Sequence, residues 1–466
     1  MASRQAAGLT DYERLREENI RRNEAILASL RRKADELSAA IKSSSKRGRG
    51  RPSNQPRKKP AAKTSPGELR RSLRLSQLPP SHSPDAEPTP GPPPVPRSTS
   101  FSSSLASSII ESASLAPPAK ARADDFDAGK ELVLTPANVR KVVPDRILGV
   151  RVLPLVDRTV VAAGNKLGNI GFWVVDGMVE DEDGDDGADG LFEYLPHRGP
   201  VPAIVAHPAA PQKIYSCSYE GEICLMDLEK ESFNMIQLCD YPVYSLCQAP
   251  DSPSCLYFGD GNGELKLLDE RMGKVSSTWD SHDNTINSID FHPEKRHMLA
   301  TSSTDRTARI WDLRRLKRKK EESLKILKHN RSVQSAYFSP SGSMLATTSL
   351  DDTVRVFCGD DFDRSHIIKH NNQTGRWIST FKAIWGWNDS DLFIGNMRRA
   401  IDIISVGGDD SSLSASNSAS LESEHMTAIP CRFSAHPYKV GHLACASSGG
   451  KVFFWTRARI NKISGG

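Results

Sequence analysis

The chain has 466 residues, 38% of them hydrophobic and 26% charged, with a formal net charge of +5. That length exceeds one ordinary small domain and leaves room for a large core, no apolar run approaches the roughly 18–20 residues that cross a membrane, and the polar N-terminus lacks an apolar secretory core. The eight cysteines, at 217, 224, 239, 247, 255, 358, 431 and 445, form no C-x-x-C pair, which removes support for zinc-ribbon and thioredoxin-like readings and makes an intracellular, reducing compartment the expectation.

The net charge hides an asymmetry. Residues 1–123 hold 23 Lys/Arg against 11 Asp/Glu, a net of +12, while the remainder, 39 against 46, nets −7. A basic arm on a mildly acidic body is the pattern of a nucleic-acid-binding or targeting tail.

Residues 1–42 form the first segment, with one helix expected over 10–41. Thr10 and Glu13 make a capping box, and Ile26, Leu27, Leu30, Leu37 and Ile41 share one face. Such a helix is either transient or docks on a partner or on the body.

Residues 43–130, rich in Ser, Pro and Lys/Arg, read as a disordered basic linker. Phosphorylation at Ser65-Pro66 or Ser83-Pro84 would weaken its charge. Within it, Lys46-Arg-Gly-Arg-Gly-Arg-Pro-Ser53 centres on Arg49-Gly50-Arg51-Pro52, the core of an AT-hook. Glycine permits close approach to the minor-groove floor, proline extends the chain, and the arginines suit the narrow electronegative groove of A·T tracts. A nuclear-import signal or a nonspecific phosphate contact is the other reading, and both imply a nucleus.

From residue 131 to 466 short alternating strands recur between Gly, Asn and Asp turns. A turn residue, an apolar residue two later and a large apolar residue three after that appear seven times. The units are Gly168-Ile170-Trp173, Gly221-Ile223-Met226, Gly263-Leu265-Leu268, Arg306-Ala308-Trp311, Asp352-Val354-Phe357, Arg399-Ile401-Ile404 and Gly450-Val452-Trp455. Their anchors are spaced by 53, 42, 43, 46, 47 and 51 residues. With upstream halves such as Asn287 to Pro293 followed by Met298 to Ser303, this is the WD-repeat pattern. The expected fold is all-β: a seven-bladed propeller over 131–466, closed so that edge strands are protected. The acidic run Glu180–Asp189 reads as a solvated loop between blades one and two.

Three motifs in the ring bear on function. Trp311-Asp312-Leu313-Arg314 is either ordinary blade closure or a partner-binding Trp-Asp-x-Arg box. It resembles the box by which WD-repeat substrate receptors dock on the damaged-DNA-binding adaptor of cullin-RING ubiquitin ligases. His370 to Trp377 opens blade six on the opposite face, where Arg376 and Trp377 offer a cation beside a planar ring for phosphate contact and base stacking. The alternative is that Trp377 packs in the blade. Lys166, Arg306, Arg331, Arg398 and Arg399 should reach that same face. Third, His282 with Asp305 and His329 with Asp351 read as structural pairs.

The chain has no Gly-x-Ser-x-Gly, Walker loop or His-Glu-x-x-His. It is therefore expected not to be an enzyme, with no cofactor and no metal.

Asp11-Tyr-Glu-Arg-Leu-Arg-Glu-Glu-Asn-Ile20 with Asn23-Glu24, Gly164 to Trp173, His370 to Trp377 and Gly395-Asn-Met-Arg-Arg399 together resemble one nuclear WD-repeat family. It comprises the fungal changed-mutation-rate DNA-damage-binding protein and its animal and plant counterparts, and is similar in turn to the small subunit of the UV-damaged-DNA-binding complex. The resemblance implies nuclear DNA binding with a preference for damaged duplex, a role in the damage response, and association with chromatin and repair factors. It also implies service as a ligase substrate receptor. The alternative function is a substrate receptor or scaffold of a cullin-RING ubiquitin ligase, with DNA contact only through the basic tail. One departure stands out. The UV-damage subunit inserts an aromatic wedge at the lesion from a hairpin, whereas the loop here reads Gln373-Thr-Gly-Arg-Trp377.

Overall fold

Short runs of β-branched and aromatic residues, broken by tight turns, fold as seven antiparallel sheets, one for each repeat. The computed structural model describes residues 103–113, 115 and 126–458, apart from 177–189, 208–209, 229, 231, 253, 317–322, 376 and 408–413. The expected helix over 10–41, residues 49–52 and the acidic run at 180–189 lie outside the described residues.

Blades one to six occupy residues 147–194, 203–238, 243–280, 286–328, 333–369 and 384–421, each as four consecutive strands. The seven anchors Trp173, Met226, Leu268, Trp311, Phe357, Ile404 and Trp455 all fall on third strands, and all are buried. First strands of successive blades touch one another around the whole ring, and that of blade seven touches that of blade one. First strands therefore line the axis. Second strands such as Val160–Asn165 and Met298–Ser303 are buried along their whole length, whereas the rim strand Lys325–Lys328 alternates.

Blade seven is assembled from both ends of the propeller. Pro430–Ala435, Leu443–Ser447 and Lys451–Arg457 are completed by Leu132–Val133 and Val139–Lys141, which pair antiparallel with Lys451–Arg457. This pairing closes the ring and leaves no blade with a missing rim strand.

The linker reading does not hold along its whole length. Ser103–Ala113 form a helix whose Leu105 and Ile109, one turn apart, are fully buried against Leu153, Phe172, Ile204 and Met226 of blades one and two. Average composition hid this segment, because Ser-rich flanks mask one apolar stripe at helical spacing.

The turn between second and third strands has one backbone requirement in all seven blades. Gly168, Gly221, Gly263 and Gly450 have positive φ, and so do Arg306 (72°), Asp352 (60°) and Arg399 (66°) at the equivalent place. At Gly168 a Cβ would sit 2.1 Å from the His197 carbonyl oxygen of the next blade's entry loop. Glycine there allows blade-to-loop packing as well as the left-handed turn.

Buried His–acid sets fasten four blades. His282 Nδ1 lies 2.8 Å from Asp305 and its Nε2 2.7 Å from Thr301 Oγ1, which also accepts from Trp311 Nε1 at 2.8 Å. Burial pushes His282 down, against the opposing pull of Asp305. Burial would raise Asp305, but hydrogen bonds from His282 and Thr307 outweigh it and hold the carboxyl far below its usual range. His329 Nε2 lies 3.2 Å from Thr347 Oγ1, and its Nδ1 lies 3.6 Å from Asp351, beyond the hydrogen bond read from the sequence. Two further sets were missed there: His197 with Glu222 (3.3 Å) and His370 with Asp402 (3.3 Å). One uses Glu and the other a wider spacing. Ser216–His197–Glu222 has the order of a hydrolytic triad, but Ser216 and His197 are each 2% exposed, so the set fastens the blade as its counterparts do.

Replacing Gly168 with Ala is expected to lower stability by about 2–4 kcal/mol, read as a shift of the urea midpoint. An unchanged midpoint would remove the packing requirement at this turn.

Candidate nucleic-acid interface

Antiparallel alternation fixes which loops share a face. Turns between second and third strands emerge beside the loops that enter each blade, and turns between third and fourth strands emerge on the other side. Lys166, Arg306, Arg398 and Arg399 lie on turns of the first kind, and Arg331 and Trp377 on entry loops. All six side chains are exposed. The face therefore brings together the cations and the indole that the sequence picked out. Arg376 lies outside the described residues.

The entry loop of blade six, residues 370–383, spans the ring's face. At one end Asn372 Nδ2 donates to the Ser349 carbonyl (2.8 Å) and Gln373 Nε2 to that of Leu350 (2.9 Å), both in blade five. At the other, Ser379 Oγ donates to the Ile147 carbonyl of blade one (2.9 Å), and Ser379 N to Ser448 Oγ of blade seven (3.2 Å). Between these pins Trp377 is 84% exposed, the most exposed of the large apolar side chains described. It does not pack in the blade. Leu167 and Met397 are exposed beside Lys166 and Arg398, which gives the cationic turns apolar flanks that were not singled out in the sequence.

Arg399 and Arg306 occupy positions where four other blades use glycine. A non-glycine residue in the left-handed region costs about 1–2 kcal/mol, and such costs gather where a side chain is needed. Arg398 and Arg399 also line a shallow cleft of about 450 Å³ with Glu422, Ser423, Glu424 and Met426. Their guanidinium groups form no ion pair with those carboxylates. The two glutamates nevertheless temper the local potential, so the face is a set of separate cations, not a uniform basic patch.

On the opposite face, Trp311 is fully buried and Asp312 is 6% exposed. Arg314 Nε and Nη2 donate to the two oxygens of Asp312 at 3.0 and 2.8 Å, and this fork pushes the Asp312 carboxyl down to about 2. Of that trio only Arg314 presents its side chain to solvent.

Comparison with known proteins agrees with this architecture. The family model described as WD domain, G-beta repeat, matches residues 273–312 and 321–358. The chain is 29% identical over 355 residues to DNA damage-binding protein cmr1 of Aspergillus terreus, which covers 68% of this chain and 65% of that protein. It is 29% identical over 383 residues to DNA damage-binding protein CMR1 of Vanderwaltozyma polyspora, covering 74% and 68%. It is also 29% identical over 277 residues to WD repeat-containing protein 76 of Xenopus laevis, covering 58% and 46%. The chain spans just under two thirds of the Aspergillus terreus relative's length. It is a seven-bladed WD-repeat propeller with homologues among the DNA damage-binding proteins.

Trp377→Ala is expected to leave the unfolding free energy within about 0.5 kcal/mol of the parent, because the indole lies outside the core. Arg399→Gly is expected to keep or raise stability, by up to about 1 kcal/mol. A clear loss of stability in either would make that residue structural.

Proposed function

We propose that this chain is a nuclear DNA-binding protein of the damage response, and that its ring engages damaged duplex through the face of Lys166, Arg331, Arg376, Trp377, Arg398 and Arg399. The observation that carries the reading is Trp377, held 84% exposed on a loop pinned at both ends. Its similarity to proteins named DNA damage-binding proteins supports it. In intact duplex the bases are stacked and offer an indole no face. At a lesion an unstacked base does, and stacking on it is worth about 1–3 kcal/mol. The exposed arginines and Lys166 would supply phosphate contacts that set register and carry no sequence information. The basic arm, with Arg49, Gly50, Arg51 and Pro52, adds minor-groove or phosphate affinity that does not discriminate lesions. No catalytic step forms part of this reading.

The reading separates two measurable quantities. Trp377→Ala should lower affinity for lesion-bearing duplex about 5- to 100-fold and leave intact duplex nearly unchanged. Arg398→Glu with Arg399→Glu should weaken both and reduce the salt slope by about two. Equal losses on both duplexes for Trp377→Ala would contradict damage recognition by this face.

A second reading, a ligase substrate receptor whose DNA contact comes only through the tail, rests on Arg314, held at the surface of the opposite face by Asp312. Arg314→Ala should then reduce recovery of the adaptor in a pull-down, and undiminished recovery would remove that role from the box.

A further inference from the structure

The first-strand residue that faces the position four before the left-handed turn residue lies at one level of the ring in every blade. Strand register identifies it as Gly149, Ala203, Ser245, Ser288 and Ser335 in blades one to five and Arg432 in blade seven. The register of blade six, with Ile384 opposite Phe393, puts Lys382 there. Five blades carry a small residue at this level, and two adjacent blades carry long cations.

Lys382 reaches across the axis, whereas the Arg432 guanidinium is held by its own and the flanking blades. Lys382 starts in blade six, yet its Nζ donates to the Asn287 carbonyl of blade four at 2.9 Å. The groups acting on it include Cys217 of blade two and Arg432 of blade seven. Arg432 Nε donates to the Leu148 carbonyl of blade one at 2.8 Å, and its Nη1 to the carbonyls of Thr380 and Cys431. Tyr219 of blade two and Tyr337 of blade five also lie within its electrostatic reach. Only the central channel is common to so many blades.

Neither cation forms an ion pair among the described residues, and no carboxylate is among the groups acting most strongly on either. Burial and the neighbouring guanidinium push the Lys382 ammonium down to about 7. Asp290 of blade four acts on Tyr337, as Arg432 does, but is not among the groups acting on Lys382. Two like charges held close together are costly, and an anion between them relieves that cost. Tyr219, which acts on Arg432, has its ring 4.5 Å from that of Tyr244.

We propose that the channel at the level of Lys382 and Arg432 is a binding site for one phosphate group. An ammonium and a guanidinium together match a doubly charged tetrahedral oxyanion better than a single carboxylate. The site sits inside the ring, so it takes an end group, either free phosphate or the terminal phosphate of a nucleic-acid strand. It does not rest on duplex binding at the face above. Variants of Trp377 or Arg398 are expected to keep it.

The test uses the full chain with inorganic phosphate as probe, against chloride at matched ionic strength. The parent should show a saturable rise in Tm on the order of 3 °C and one phosphate bound per chain by calorimetric titration. Lys382→Met should lose the rise and Lys382→Arg should keep it. Equal rises in the parent and Lys382→Met would reduce the effect to general salt stabilisation and overturn the proposal, as would no rise in the parent. Should Lys382→Met fail to fold, titration of the parent decides alone: one bound phosphate supports the site and none overturns it. A 5′-phosphorylated hexanucleotide that displaces phosphate, where its 5′-hydroxyl counterpart does not, identifies a strand end as the source. Displacement by neither identifies free phosphate.

Discussion

The face of the ring depends on one pairing, that of Leu132–Val133 and Val139–Lys141 with Lys451–Arg457. It joins the two ends of the propeller and converts seven sheets, none able to bury its apolar surface alone, into a closed ring. Closure brings the first strand of blade seven against that of blade one. It also lets the entry loop of blade six find partners in blades five, seven and one at once. An open ring would leave that loop pinned at one end, with Trp377 on a free segment and no fixed relation to Lys166.

Within this frame, local costs mark where side chains matter beyond folding. The repeat demands a left-handed turn in each blade, and glycine meets it without strain in four of them. Arg306 and Arg399 meet it at a cost and hold guanidinium groups outward on the face that carries Trp377. Lys382 and Arg432 form a second exception, since they occupy a level where small residues suffice elsewhere. Both exceptions place positive charge on a body whose net charge is negative. Function in such a body has to come from placement, because there is no general surplus of charge to attract a polyanion.

Much of the ring was legible in the sequence because its rules are local and repeated. A turn residue, an alternating strand and a large apolar anchor recur often enough for seven weak matches to become one strong one, and each anchor landed on a third strand. The exposure of Trp377 was left open, since an indole near a strand start serves equally as core or as contact. What escaped was non-local. The strand that completes blade seven is short and distant from its partner. The helix Ser103–Ala113 packs its apolar stripe against blades one and two, a partner distant in sequence. The His197 and His370 sets use spacings or acids outside the commonest form. Lys382 and Arg432 become a pair only when two strands 50 residues apart are set in register.

The central claim is that the ring meets DNA through the face of Trp377. Hydrogen exchange of the full chain, with and without lesion-bearing duplex, tests it most directly. Protection should appear in residues 370–383 and in the turn at 396–400, with none in the turn at 312–316 on the opposite face. Protection confined to residues 1–123 would place all DNA contact in the basic arm and contradict the account.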